Sequence, residues 1–522
     1  MLSKRTFMHI LKKKGLPFFT LILLCATLLL FSPLLVRRFT MQQIAPKGVA
    51  HSIGGGIEHN IQPDNNHAID ITVDLTAPIG TSQFAPGITH VDPSLDPGGS
   101  GDPVAVNHIK GLIRQGVPYE ATPIMAWGVD DPWPDPRQQE PSNWTSLDNR
   151  LRLITETGGI PVLTLNEAPW WMKGQLQPDG TTRQLTWNDE WADIAYSSRI
   201  LDNKMNAWLH LVQRVAERYM APPYNVRYFQ VWNELKGYYN PITNSYDYTT
   251  SPGDPSQAGA RHGYTYMYNQ VYRRLMQVAT SLGMARDSVK VGGPYVVIDT
   301  WSSPNQSNPS QITRTYGTFD QRPLSVVQYW LQHKVGAGFI TLDSANDNKD
   351  NVNTTDPFTA SEKFADVTRW VRSLNNDLYP GATTLPIWWA EWYATALNAP
   401  TNPDYNNAIK TYAVAQLIEA GGGAAFEWGG LGDGPANTGL WTQPAAGGGQ
   451  PLPWYYSYKA LKDNFGPGTH LYKADSSAPG SVAALASAKA LLLINKSSHR
   501  LDIAARGHPI TLAPYQVRVI GI

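Results

Sequence analysis

Cysteine is almost absent. Cys25 is the single one in 522 residues, and it lies in an N-terminal apolar segment. The rest of the chain therefore forms no disulfide, no thiolate metal site and no cysteine nucleophile. An excess of charge is lacking too: 42 Lys and Arg balance 42 Asp and Glu, for a formal net charge of +0. Nothing steers the chain toward nucleic acid. Gly98-Gly99-Ser100-Gly101 does not fit the Gly-x-Gly-x-x-Gly of a dinucleotide loop. No His-x-x-x-His or Asp/His cluster has ligand spacing, so no metal and no cofactor is expected. Asp130, Asp131 and Asp135 read as a solvated acidic loop.

What is abundant is aromatic. Eighteen Trp contribute to an aromatic content of 11%, beside 42% hydrophobic and 16% charged residues. That is globular composition. The Trp excess is divided here between core packing and sugar-binding surfaces, where a flat ring with a polar edge is useful.

An apolar run of about 21 residues from Leu16 to Val36 can just span a bilayer. Lys4, Arg5 and Lys12 to Lys14 precede it, and Arg37 and Arg38 follow. Residues 1–36 are read as a cytoplasmic tail with a signal anchor or a signal peptide. Either puts the remainder outside the cytoplasm, membrane-anchored or secreted. Residues 37–65 read as a tether, and 66–80 as a strand joining a C-terminal β-domain.

From residue 81 to 467 strand and helix patterns alternate. Strands are expected at Phe84–Asp92, Val117–Trp127, Ile160–Leu165, Val226–Trp232, Ser288–Gly293, Phe339–Leu342, Leu385–Ala390 and Ala424–Trp428. Each is followed by a helical period, as in Met205, Trp208, Leu209, Val212, Val215 and Tyr219. Eight such units predict a closed (β/α)8 TIM barrel. Residues 468–522 then read as short strands, a small β-sandwich-like domain. The fold class is α/β: a barrel with a C-terminal β-domain and an N-terminal transmembrane or signal segment.

Two carboxylates close apolar strands: Glu234 after Tyr228-Phe229-Gln230-Val231-Trp232-Asn233, and Glu391 after Pro386-Ile387-Trp388-Trp389-Ala390. Glu is depleted in strands, and an unpaired carboxylate is seldom buried. Strands four and seven lie on opposite parts of a barrel wall, so the pair can converge over its mouth. Paired carboxylates do acid, base and nucleophilic work, above all on glycosidic bonds. Asn166-Glu167 and Glu427-Trp428 end strands three and eight and compete for these roles. His90 ends strand one and either lines the pocket or is a hydrogen-bonded core residue. The loop 237–261 is long enough to act as a lid.

Val231-Trp232-Asn233-Glu234 together with Glu391-Trp392 resembles the clan A glycoside hydrolases. It is most similar to glycoside hydrolase family 39, the β-xylosidase and α-iduronidase family. Pro169-Trp170-Trp171-Met172, Val291-Gly292-Gly293-Pro294, Leu385-Pro386-Ile387 and Pro514-Tyr515-x-Val517-x-Val519 add to the likeness. The resemblance implies a retaining glycosidase acting on oligo- or polysaccharides. Glu234 would be the acid/base, protonated before attack, and Glu391 the ionised nucleophile. Asn233 would hold the sugar 2-hydroxyl, and Trp428 would floor the site. Tyr295, Asp343, Trp392 and His90 complete the expected substrate-binding set. Leu235 stands where many members have Pro, and Asp343 where they commonly have His. Alternatives are a non-catalytic carbohydrate-binding barrel and a transglycosylase. The expected partner is a carbohydrate.

Overall fold

The computed structural model describes residues 68–253, 261–301, 308–347, 355–396, 402–431 and 438–522. The expected anchor or signal segment and the tether lie outside these residues. Among the described residues no helix is long and apolar enough to cross a membrane.

Eight parallel strands close into a barrel: β1 (Ala85–Thr89), β2 (Tyr119–Pro123), β3 (Ile160–Leu165), β4 (Tyr228–Val231), β5 (Lys290–Val297), β6 (Phe339–Ala345), β7 (Ile387–Tyr393) and β8 (Ala424–Trp428). They pair in chain order, and β8 closes on β1. Each strand is followed by its helix: α1 (Pro103–Gly116), α2 (Thr145–Thr157), α3 (Met205–Tyr219), α4 (Tyr264–Ser281), α5 (Gln321–His333), α6 (Pro357–Ser373), α7 (Pro403–Glu419) and α8 (Pro453–Phe465). The helix starts are written locally. Asp102 caps α1 by accepting from the Val104 and Ala105 amides, both at 3.0 Å, with Pro103 in the first turn. Asp356 and Asn402 do the same for α6 and α7.

The barrel is plugged by rings. Trp388 stacks on Phe339 at 3.9 Å, and Tyr119, Tyr228 and Phe426 pack around them. Room for these rings comes from glycines on neighbouring strands. A Cβ at Gly292 would lie 2.0 Å from Phe339, and one at Gly87 2.6 Å from Phe426. The interior is a packed core and not a pore. Gly292→Ala is therefore expected to cost about 1–3 kcal/mol through overpacking, seen as a lower thermal midpoint by calorimetry. Gly111→Ala on α1, whose Cβ would meet nothing within 4 Å, is the control and leaves the midpoint unchanged or higher.

The strand Ile69–Thr81 sits inside a seven-stranded sheet. Its neighbours are the strand His470–Ser476, antiparallel, and Leu501–Ala505, parallel. The C-terminal strands share this one sheet with it. Ala490–Asn495 is buried along its whole length. Leu491 and Leu493 pack on the Ile71, Ile503 and Leu512 side, while Leu492 and Ile494 join the main core. Period-two alternation lets one strand serve both.

Candidate active site

Three strands run further than their sequence pattern predicts. β5 ends at Val297, β6 at Ala345 and β7 at Tyr393. Asp343, Glu391 and Tyr393 thus sit in ladder pairs at the C-terminal end of the barrel, with Tyr295 on β5 beside them.

Glu234 follows β4 on a strained turn. Trp232, Glu234 and Leu235 have φ of 69°, 47° and 50°, a region that non-glycine residues seldom occupy. The turn is over-determined by its surroundings. The Trp232 amide donates to Leu165 O at 2.9 Å, and its indole Nε1 donates to Lys236 O at 2.9 Å. The Trp232 ring packs edge-on against Trp208 and Tyr238. This geometry also accounts for Leu235. Proline locks φ near −65° and could not stand at this position.

Two β-bulges aim side chains at one point. On β5, Pro294 pairs with Thr341 and Val296 with Leu342, so Tyr295 is the extra residue, at φ 49°. Opposite β7, Leu342 pairs with Trp389 but Asp343 with Glu391, so Ala390 is skipped. The slip lets Trp389 and Trp392, three residues apart, both pack on Phe364 of α6. Glu391 between them turns to the mouth. Bulges beside active sites commonly re-aim a side chain in this way.

The result is a triad of carboxyls. One oxygen each from Glu234, Asp343 and Glu391 lie within 4.8 Å of one another. The Tyr295 hydroxyl donates to Glu391 Oε2 at 3.1 Å, and the Tyr393 hydroxyl donates to Oε1. Lys236 Nζ lies 2.8 Å from Glu234 Oε2. Glu391 and Asp343 are 6% and 3% exposed, whereas Glu234 is only half-buried. Burial, then the Glu234 charge, pushes Glu391 up to about 8, against the opposing Tyr393, Lys236 and Tyr295 contacts. Burial and the two glutamates push Asp343 well above the carboxylate range. Burial first, then Glu391 and Asp343, does the same to the Tyr295 hydroxyl, which stays a donor. Glu391 thus holds its proton more tightly than a free glutamate does. Three oxygens this close could also ligate a cation, but two of them are buried where uptake of a proton relieves their repulsion.

A stability effect follows. The proton-linked stability from Glu391 is full below its ordinary value of 4.5 and is lost as pH rises through about 8. Glu391→Gln is expected to match the native thermal midpoint at pH 4.5 and exceed it increasingly up to pH 9.

The other expected residues fall into two groups. Asn233 is buried beside Glu234, its Nδ2 without a hydrogen-bond partner. Trp428 is half-exposed at the end of β8, edge-on to Trp127 at 5.1 Å. Asn233 adjoins Glu234 in the chain, and Trp428 stands at the C-terminal end of a barrel strand. Trp392 instead faces the helix layer, against Phe364 and Trp454. His90 is taken up by Glu120, Nε2 to Oε2 2.7 Å. Glu120 also accepts from Thr157 of α2, so His90 is tied to the outer layer. Glu167 is paired with Lys173 at 3.0 Å. Glu427 is paired with Lys410 and accepts from Trp454 Nε1. Both of these pairs are buried, whereas the Glu234–Lys236 pair stays accessible. Asp131 is not solvated but 2% exposed, and burial, then the neighbouring Glu190 charge, pushes it up to about 8.

Tyr393 and Lys236 are the residues that sequence reasoning missed. Each lies two positions beyond a glutamate already singled out: for Tyr393 on β7 that is the same-face spacing of a strand, whereas Lys236 reaches Glu234 across the turn. The long loop after Glu234 forms a two-stranded ribbon, Tyr239–Asn240 with Ser245–Tyr246. Asp247 clamps it to Arg199 and Arg261 at 3.1 and 2.9 Å. Residues 254–260 lie outside those described.

No family model matches the chain, and no curated protein matches it in sequence. Solved structures do match. A conserved exported protein from Bacteroides fragilis aligns at 10% identity and TM-score 0.53, over 87% of this chain and 100% of its own. SrfJ from Salmonella typhimurium aligns at 11% and 0.53, over 88% and 93%. The endo-β-1,6-glucanase BT3312 aligns at 11% and 0.51, over 87% and 95%. At such identities the likeness establishes the shared fold and nothing further.

Proposed function

We propose that this protein is a glycosidase that hydrolyses O-glycosidic bonds of oligo- or polysaccharides with retention of configuration. The observation that carries the reading is the separation of Glu234 and Glu391. Their nearest carboxyl oxygens are within 4.8 Å, close to the roughly 5–5.5 Å of retaining pairs and below the roughly 6.5–9.5 Å that leaves room for a water. Glu391, fixed by two tyrosine hydroxyls, is the nucleophile that bonds to the anomeric carbon. Glu234, on the open side of the site, protonates the departing oxygen and then takes a proton from water. The departing oxygen must displace Lys236 from Glu234. Asn233 meets the 2-hydroxyl, and Trp428 meets the apolar face of the ring. The shared fold with an endo-β-1,6-glucanase supports the reaction class. The family 39 likeness remains a matter of short motifs, and Asp343 in place of His argues for a divergent member. The basic-flanked apolar segment and the exported structural relative support an extracytoplasmic place for the enzyme, anchored or secreted.

The test is turnover of a panel of aryl glycosides, with the first-formed anomer read by proton NMR. Retention is expected. Because attack needs the Glu391 carboxylate while departure needs the Glu234 proton, kcat/KM should pass through a maximum in pH, with one limb set by the raised Glu391. An inverted product would overturn the mechanism. Oligosaccharide binding without turnover of any glycoside would replace the enzyme by a carbohydrate-binding barrel.

A further inference from the structure

A second aromatic feature lies on the same end of the barrel as the carboxyls. The loops after β2 and β3 enclose an open cleft of about 450 Å³, lined by Pro134, Asp135, Pro136, Arg137, Trp170 and Trp187. That volume lies within the roughly 300–1,000 Å³ of small-ligand sites. Trp187 is 60% exposed. A single exposed ring needs no explanation, but this one is part of a built surface. Trp170 and Trp187 meet at 6.3 Å with their planes at 82°, which presents two perpendicular apolar walls. Trp170 is held in place: its Nε1 donates to Pro134 O at 3.1 Å. Beneath it Trp171 Nε1 donates to Trp133 O at 2.9 Å, and those two rings pack edge to face at 5.1 Å. The indole N–H groups of Trp170 and Trp171 are spent on joining the two loops. At the rim, Arg137 makes a bidentate pair with Asp135 while its side chain stays 89% exposed.

Other half-exposed rings stand on the same end of the barrel. Trp428 meets Trp127 at 5.1 Å, and Trp127 meets Tyr196 at 5.6 Å. Tyr196 lies on the same β3–α3 loop as Trp170 and Trp187. Apolar walls with a charged rim suit a pyranose, whose C–H faces are apolar and whose hydroxyls lie at the edge. Further half-exposed rings on the same end of the barrel suit a chain of them. A zero net charge on the protein matches a neutral polymer.

We propose that the Trp170–Trp187 cleft is a distal binding subsite for pyranose units of a saccharide chain whose scissile bond lies between Glu234 and Glu391. This rests on the glycosidase reading and adds that the natural substrate is a polymer reaching past the reaction centre.

The test uses Trp187→Ala, an exposed position whose loss leaves the fold intact, with soluble xylan, β-1,6-glucan and 4-nitrophenyl monoglycosides as probes. The expected result is a KM on the hydrolysed polysaccharide raised about tenfold or more, the scale of a ring stacked on an aromatic side chain. Monoglycoside kcat/KM and thermal midpoint stay unchanged. Equal losses on polymer and monoglycoside, or no loss on either, would overturn the subsite. If the native enzyme turns over none of the probes, the glycosidase reading fails. The subsite is then judged by affinity electrophoresis in the same polysaccharides. Retardation of the native protein that Trp187→Ala loses supports it, and retardation of neither overturns it.

Discussion

Glu391→Ala is expected to abolish glycoside hydrolysis, by on the order of 10⁴-fold or more in kcat. The removed group is the one that bonds to the anomeric carbon, and no neighbour can take its place. Asp343, its partner across β6 and β7, is 3% exposed, and burial, its first cause, pushes it well above the carboxylate range and disfavours the anion that attack would need. Glu427, one residue before the end of β8, is paired with Lys410 of α7. The vacated space admits a small anion. Added azide should restore part of the turnover on an activated aryl glycoside and yield a glycosyl azide of inverted configuration, identified by NMR. Full activity in the variant would sink the proposed mechanism. Folding is controlled by Glu391→Gln, whose midpoint at pH 8 should lie above that of the native protein.

Glu234→Ala should behave differently, and the contrast assigns the two roles. Loss of the acid should slow glycosides with poor leaving groups by about 10²–10⁴-fold. A dinitrophenyl glycoside, whose departure needs no proton, should react in the first step at close to the native rate. Its glycosyl-enzyme then accumulates for lack of a base, so a burst precedes slow turnover. Azide should relieve that second step and give an azide of retained configuration. Measuring both leaving groups against both variants separates acid/base from nucleophile. If Glu234→Ala slows the two substrates equally, it has another part in the site. Lys236 lies 2.8 Å from Glu234; burial works to lower it, but the Glu234 contact and the Glu167 and Glu391 charges outweigh that and hold it raised, so as an ammonium it offers no base or nucleophile in place of either carboxyl.

Much of the barrel was legible because its signals are local. Strand runs alternate with helical periods, and caps such as Asp102 with Pro103 mark where a helix starts. Counting the units gave Glu234 and Glu391 their addresses on strands four and seven, and both glutamates stand at those ends. The same reading failed where contacts cross the fold. Trp392 shares a motif with Glu391, yet the slip at Ala390 turns it to α6. Glu167 and Glu427 look like Glu234 and Glu391 in sequence, but Lys173 and Lys410 occupy them. Asp131 reads as a solvent-facing acid and is buried against Glu190.

The amino-acid sequence by itself determined the number and order of strand–helix units and the strand ends at which carboxylates stand. These follow from hydrophobic period, capping and composition, which act over a few residues. The tertiary structure alone decided which carboxylates are left without a cation, which face a bulged residue takes, and that Tyr295 and Tyr393 both point at Glu391. Those outcomes depend on strand register and on partners tens to hundreds of residues away, such as Tyr295 and Glu391. A one-residue slip reverses a side chain's direction, and local pattern carries no record of it.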